Sequence, residues 1–75
     1  MIGTILLTEL RPGEQAIVAV LPTTGRHLQK LLVFGILPGM EIKMVQTFPS
    51  YVLGVGNTLL ALDGEIAASI AVIKK

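Results

Sequence analysis

The stretch "LLVFGILPGMEIKMV", Leu31 to Val45, begins with helical spacing and ends with strand spacing. The period changes across Phe34-Gly35-Ile36-Leu37-Pro38-Gly39, where a helix stop and a tight turn follow each other almost directly. Upstream, Leu28, Leu31 and Leu32 fall at i, i+3 and i+4, the stripe that a helix over "TGRHLQKLLVFG" is expected to bury. Thr24 is placed to cap that helix and Gly35 to end it in the left-handed conformation. Pro38 then presets φ at the second position of a type II turn, and Gly39 supplies the positive φ needed at the third. Downstream, Ile42 and Met44 alternate with Glu41 and Lys43, which reads as a strand with one wet face. The predicted geometry is a helix folded back as a lid over the mouth of a small barrel, with a strand leaving at once.

The same punctuation occurs earlier. In "RPGEQAIVAVL" the Pro12-Gly13 turn precedes a run in which Ala16, Val18 and Val20 share one face and Ile17, Ala19 and Leu21 the other. Two apolar faces predict a strand enclosed in a small barrel. In "YVLGVGNTLLAL", Gly56-Asn57 between apolar runs signals a two-residue hairpin, and Gly54 predicts a bend or bulge. "LDGEIAASIAVI" offers Asp63 as an N-cap with Glu65 in the first turn, where the helix dipole favours negative charge. That helical turn is expected to end near Ser69, with Ile70 to Ile73 as a closing strand. The fold class is therefore mainly β: a small SH3-like barrel of about five short strands, one α-helix and one extra helical turn.

Composition narrows the function. The chain has 75 residues, no cysteine, and six basic against five acidic side chains, for a net charge of +1. Zinc-thiolate chemistry is thereby excluded, and nothing marks a nucleic-acid footprint. Apolar residues make up 52% of the chain and charged ones 15%, with a mean hydropathy of +0.76. Every apolar run is broken before the length of about 20 residues that a spanning helix needs. "MIGTILLTEL" has neither the basic region nor the cleavage site of a signal peptide. The chain thus reads as soluble and not inserted in a membrane, and its apolar surplus predicts an exposed apolar patch for a partner.

Catalytic constellations are missing. His27 is the sole histidine, no nucleophile motif surrounds it, and Glu9, Glu14, Glu41, Asp63 and Glu65 are scattered. The reading is a non-enzyme with no cofactor and no assigned metal ligands. A metal-sensing use of His27 with nearby carboxylates is the rival. Phe48 and Tyr51 beside Pro49-Ser50, with the short tail Lys74-Lys75, make too thin a stacking groove for nucleic acid; both aromatics are expected to cover the barrel rim. The helix is more informative. Arg26, Gln29, Lys30 and Val33 lie opposite the leucine stripe, and Phe34 falls at its edge beside His27. Val33 and part of Phe34 should be exposed between the charges of Arg26 and Lys30. These four are the expected partner-binding residues. A barrel whose apolar face pairs with itself, a homo-oligomer, is the other alternative.

"LTELRPGEQAIV", "HLQKLLVFGILPGMEIKMV" and "LLALDGEIAASIAVI" together resemble the FeoA family, small cytoplasmic accessory proteins of bacterial ferrous iron transport. The most specific piece is Leu31, Leu32, Gly35, Ile36, Pro38 and Gly39. Leu10, Pro12 and Gly13 match the family's first turn, and Leu60, Ala61, Leu62, Ala67 and Ile70 its closing part. The resemblance covers Leu7 to Ile73 and implies that residues 1–75 form one FeoA-like, SH3-like barrel domain. It implies docking on the cytoplasmic part of the ferrous iron permease. Related domains end iron-dependent repressors, but a DNA-binding winged helix ahead of the barrel is not expected within these residues. No metal ligands carry over. Three departures stand out: Val33-Phe34 where a polar or acidic residue is usual, a short "FPSY" loop, and helix charge reduced to Arg26 and Lys30 beside neutral Gln29. They imply a more apolar docking face.

Overall fold

A computed structural model describes residues 3–22 and 25–75. In chain order the elements are β1 (Ile5–Leu6), a 3-10 turn (Leu7–Glu9), β2 (Gln15–Val20), α1 (Arg26–Val33), β3 (Glu41–Gln46), β4 (Tyr51–Val55), β5 (Thr58–Leu62), α2 (Gly64–Ala67) and β6 (Ala71–Lys74). The strands form one sheet in the order β1-β6-β2-β3-β4-β5, antiparallel at every step. The mainly β expectation holds, and the two-residue β1 adds a strand that was not foreseen. Among the described residues no pairing joins β1 to β5, so the sheet keeps two edges there.

The two Pro-Gly turns do equivalent work at opposite ends of the β2–β3 pair. In each, the residue after glycine donates its N–H back across the turn: Glu14 to the Arg11 carbonyl at 3.0 Å, Met40 to that of Leu37 at 3.2 Å. Gly13 and Gly39 hold φ of 92° and 91°, as type II turns require. Each glycine N–H also reaches the other strand, Gly13 to the Met44 carbonyl and Gly39 to that of Val18, both at 2.7 Å. The turns therefore clamp the register of β2 on β3 from both sides.

Two bulges set which faces are buried. Between Val18 and Val20 the β2–β6 register slips, leaving Ala19 as the extra residue. The slip turns Val20 outward and Leu21 inward, against the simple alternation read from the sequence. A second slip on β3 lies between Met44 and Gln46, opposite Leu53 and Val52. The bend anticipated at Gly54 is thus at Val45 on the neighbouring strand, while Gly54 pairs regularly with Lys43 and Leu59. The Gly56-Asn57 hairpin is as expected: Gly56 alone has positive φ, 59°, which matches a type II′ turn.

The core is built from Leu7, Leu10, Ala16, Val18, Leu31, Ile36, Ile42, Met44, Leu53, Ile70, Val72 and their neighbours, with no buried polar side chain among the described residues. Asp63 caps α2 as expected, its Oδ1 accepting the Ile66 N–H at 2.8 Å. Two further expectations fail. Phe48 does not cover a rim but stands 85% exposed, whereas Tyr51 does pack against the core. Lys74 and Lys75 are no free basic tail: they pair with Glu14 and Glu41 across the sheet.

Candidate protein-docking surface

The surface that carries Arg26, Lys30, Val33 and Phe34 is shaped by how α1 begins and stops. Thr24, the expected cap, lies outside the described residues; the N-cap position is held by Gly25, whose carbonyl accepts the Gln29 N–H at 3.2 Å. At the other end Phe34 is the C-cap and Gly35 follows with φ of 81°. The Ile36 N–H bonds to the Leu31 carbonyl at 2.9 Å, and the Gly35 N–H to that of Leu32 at 3.0 Å. This is the Schellman pattern, which satisfies carbonyls that the last turn would otherwise leave without partners. Its usual apolar contact is supplied by Leu31 and Ile36, both fully buried.

Helix α1 consequently reaches the core along a narrow ridge: Leu31 buried, Leu28 packed beside it. Leu32, read from the sequence as part of the buried stripe, is instead 48% exposed. Leu31 to Phe34 are four successive apolar residues, and at about 100° per residue such a run goes most of the way around a helix. One ridge can be buried and the rest must face solvent. Val33 is 83% exposed and Phe34 38%. Leu37, just past the glycine, is also exposed, its N–H turned to Met40 Sδ at 3.3 Å. The result is an apolar patch at the C-terminal end of α1 made of Leu32, Val33, Phe34 and Leu37. The exposure of Leu32 and Leu37 was missed; the run of four apolar residues was the signal for it.

Arg26 and Lys30 border this patch. Arg26, Lys30 and Val33 are spaced i, i+4 and i+7, so they share one line along the helix, with Phe34 next to Lys30. Both cations are exposed. Lys30 sits in the last turn, where the helix dipole favours it, whereas Arg26 stands in a first turn that holds no acid. The pair also repels weakly at i, i+4. Lys30 thus gains from the dipole and Arg26 does not, and neither forms an ion pair among the described residues.

Beside the patch, α1 and the start of α2 enclose a shallow cleft of about 720 Å³ lined by Pro22, Arg26, His27, Lys30, Asp63 and Glu65 among others. His27 Nε2 lies 3.7 Å from Glu65 Oε1. The sequence named this histidine with a nearby carboxylate as a metal rival, and the structure does bring one carboxylate to it. Asp63 Oδ1 is engaged in capping Ile66. Among the described residues no three His, Asp or Glu side chains converge in a ligating cluster, and no helix is long and apolar enough to cross a membrane.

A six-stranded antiparallel sheet with one packed helix presenting an apolar, cation-bordered end defines an SH3-like domain. The chain belongs to the FeoA domain family, which it matches over residues 5–74. Among solved structures it is similar to an iron uptake regulatory protein (FeoA), with a TM-score of 0.88 and 26% identity over 97% of this chain and 99% of that one. It is also similar to iron(II) transport protein A of Clostridium thermocellum, with a TM-score of 0.85 and 33% identity over 93% of this chain and 45% of the other. T. acidophilum IdeR shares the fold, with a TM-score of 0.92 and 23% identity, 97% of this chain matching 35% of that protein. The chain thus spans nearly all of the first and less than half of the other two. No functionally curated protein matches it in sequence.

Proposed function

We propose that this protein is a non-catalytic, cytoplasmic accessory protein of ferrous iron transport that docks on the cytoplasmic part of the ferrous iron permease. Membership of the FeoA domain family and likeness to an iron(II) transport protein support the pathway. The observation that carries the docking face is the exposed C-terminal end of α1: Val33, with Leu32 and Phe34, beside Arg26 and Lys30. An apolar centre rimmed by charge is the usual anatomy of a protein interface. Docking acts on transport by binding one conformation of the permease more tightly than another, since a partner with equal affinity for both shifts nothing.

Titration against the permease's cytoplasmic domain, with nucleotide and ferrous iron varied, tests this reading. Val33 and Phe34 would bury much of an aliphatic and an aromatic side chain, worth roughly 1.5–3 kcal/mol each when complete. Val33→Glu with Phe34→Gln should therefore weaken binding at least about tenfold. Unchanged affinity for that variant would remove α1 from the interface. Absence of binding by a folded wild-type chain under every condition would remove the permease.

A further inference from the structure

We infer that a second copy of this chain pairs with the free edge of β5, joining the two sheets antiparallel about a two-fold axis. Main-chain geometry at the strand edge, not the helix patch, carries this pairing, which is independent of the permease reading. In the hairpin the register is Val55↔Thr58, Gly54↔Leu59, Leu53↔Leu60, Val52↔Ala61 and Tyr51↔Leu62. The pair that closes a two-residue turn is a hydrogen-bonded one, and the antiparallel ladder alternates from there. Thr58, Leu60 and Leu62 therefore bond to β4, while the N–H and C=O groups of Leu59 and Ala61 point away from it. Among the described residues no strand pairs on that side, and none of the other main-chain or side-chain hydrogen bonds reaches those groups.

Soluble proteins guard such an edge with lysine, proline, a bulge or a very short strand. The opposite edge, β1, is protected in this way, being two residues long. β5 has none of these devices. It is five residues, "TLLAL", paired without a register slip, and its outward Leu59 is 66% exposed with Ala61 exposed beside it. No charged residue occurs from Tyr51 to Leu62, so nothing on the hairpin repels an identical strand.

Self-pairing with Leu60 opposite the partner copy's Leu60 overlays the whole strand. Leu59 then faces Ala61 of the other copy and Ala61 faces its Leu59, and each of these pairs exchanges both main-chain bonds. Leucine over alanine fills the outer face without collision, large against small. Asp63, the nearest charge, falls opposite the other copy's Asn57, so no two like charges meet. An isologous contact of this kind closes at a dimer.

The register dictates the test. Leu59→Lys with Ala61→Lys sets lysine against lysine twice across the axis, whereas Leu59→Lys with Ala61→Glu sets lysine against glutamate. Both positions are exposed in the single chain, so both variants should melt close to the wild type, which is checked first. Sedimentation equilibrium of the full chain is run from about 10 μM to about 1 mM, the range where a small interface associates. The expected result is a wild-type mass that rises toward the dimer, a lysine–lysine variant that stays monomeric, and a lysine–glutamate variant that dimerises again. Val33→Glu should leave the dimer unchanged. A wild type monomeric throughout, or a dimer indifferent to the lysine pair, overturns the inference. A monomer whose Leu59 and Ala61 amides gain exchange protection only on adding the permease domain also overturns it, assigning the edge to a strand of that partner.

Discussion

Replacing Gly35 by alanine isolates the contribution of one backbone conformation to the C-terminal end of α1. Gly35 has φ of 81°, and a Cβ built there meets nothing within 4 Å, so no clash enters the cost. An L residue in the left-handed region is disfavoured by roughly 1–2 kcal/mol. Alanine also restricts the unfolded chain, which returns about 0.4–1 kcal/mol. The net loss should be about 1 kcal/mol, which lowers Tm by about 4–8 °C in a domain of this size. Gly54→Ala is the control. Its φ is not in the left-handed region, and the added Cβ would touch Lys43 O, Val45 and Leu59 at 3.8–3.9 Å, ordinary contact. Gly54→Ala should be neutral or slightly stabilising. Thermal melts by circular dichroism, with urea titration of both variants, decide the matter. An unchanged Gly35→Ala protein, or a Gly54→Ala protein that loses more than Gly35→Ala, would refute the assignment of the helix stop to backbone conformation.

Three further outcomes follow from named contacts. Leu31→Ala should cost about 2–5 kcal/mol because Leu31 is fully buried, whereas Leu32→Ala, on the exposed flank, should stay within about 0.5 kcal/mol; urea midpoints of the two variants compare them directly. Asp63→Ala removes the side chain that accepts the Ile66 N–H and should cost about 0.5–2 kcal/mol, read as a lowered Tm. Lys74 hydrogen-bonds Glu14 and, with the Arg11 N–H, holds its carboxyl below the ordinary glutamate range. A depressed folded-state value gives stability that is present above the unfolded pKa and lost as pH falls through the folded one. Glu14→Gln should therefore flatten the acid side of the stability–pH curve and leave the neutral side parallel to wild type.

What the sequence displayed were the features set by local rules. The glycines of the Pro-Gly turns, the glycine that ends α1, the Asp63 cap and the Gly56-Asn57 hairpin each depend on a few adjacent residues, and each stands where it was read. The alternation in β3 was legible for the same reason, with Ile42 and Met44 buried and Glu41 and Lys43 exposed. The misreadings came from pairing between distant strands. The bulge at Ala19 exists only because β6 lies against β2, and it reverses Val20 and Leu21. Leu32 has helical spacing for burial, but only one ridge of α1 meets the core. Lys74 and Lys75 look like a free tail until β6 sets them beside Glu14 and Glu41. The proposed docking surface lay between these cases. Val33 was legible as exposed because it lies opposite Leu31, while the breadth of the patch required knowing that nothing covers Leu32 or Leu37.

The most direct test of the account is isothermal titration of the folded chain into the cytoplasmic domain of the ferrous iron permease, wild type against Val33→Glu/Phe34→Gln. Docking through α1 predicts saturable binding that falls at least about tenfold in the variant, with both proteins melting alike. Equal affinity for the two would contradict α1 as the docking face, and no heat of binding from either would contradict the permease as the partner.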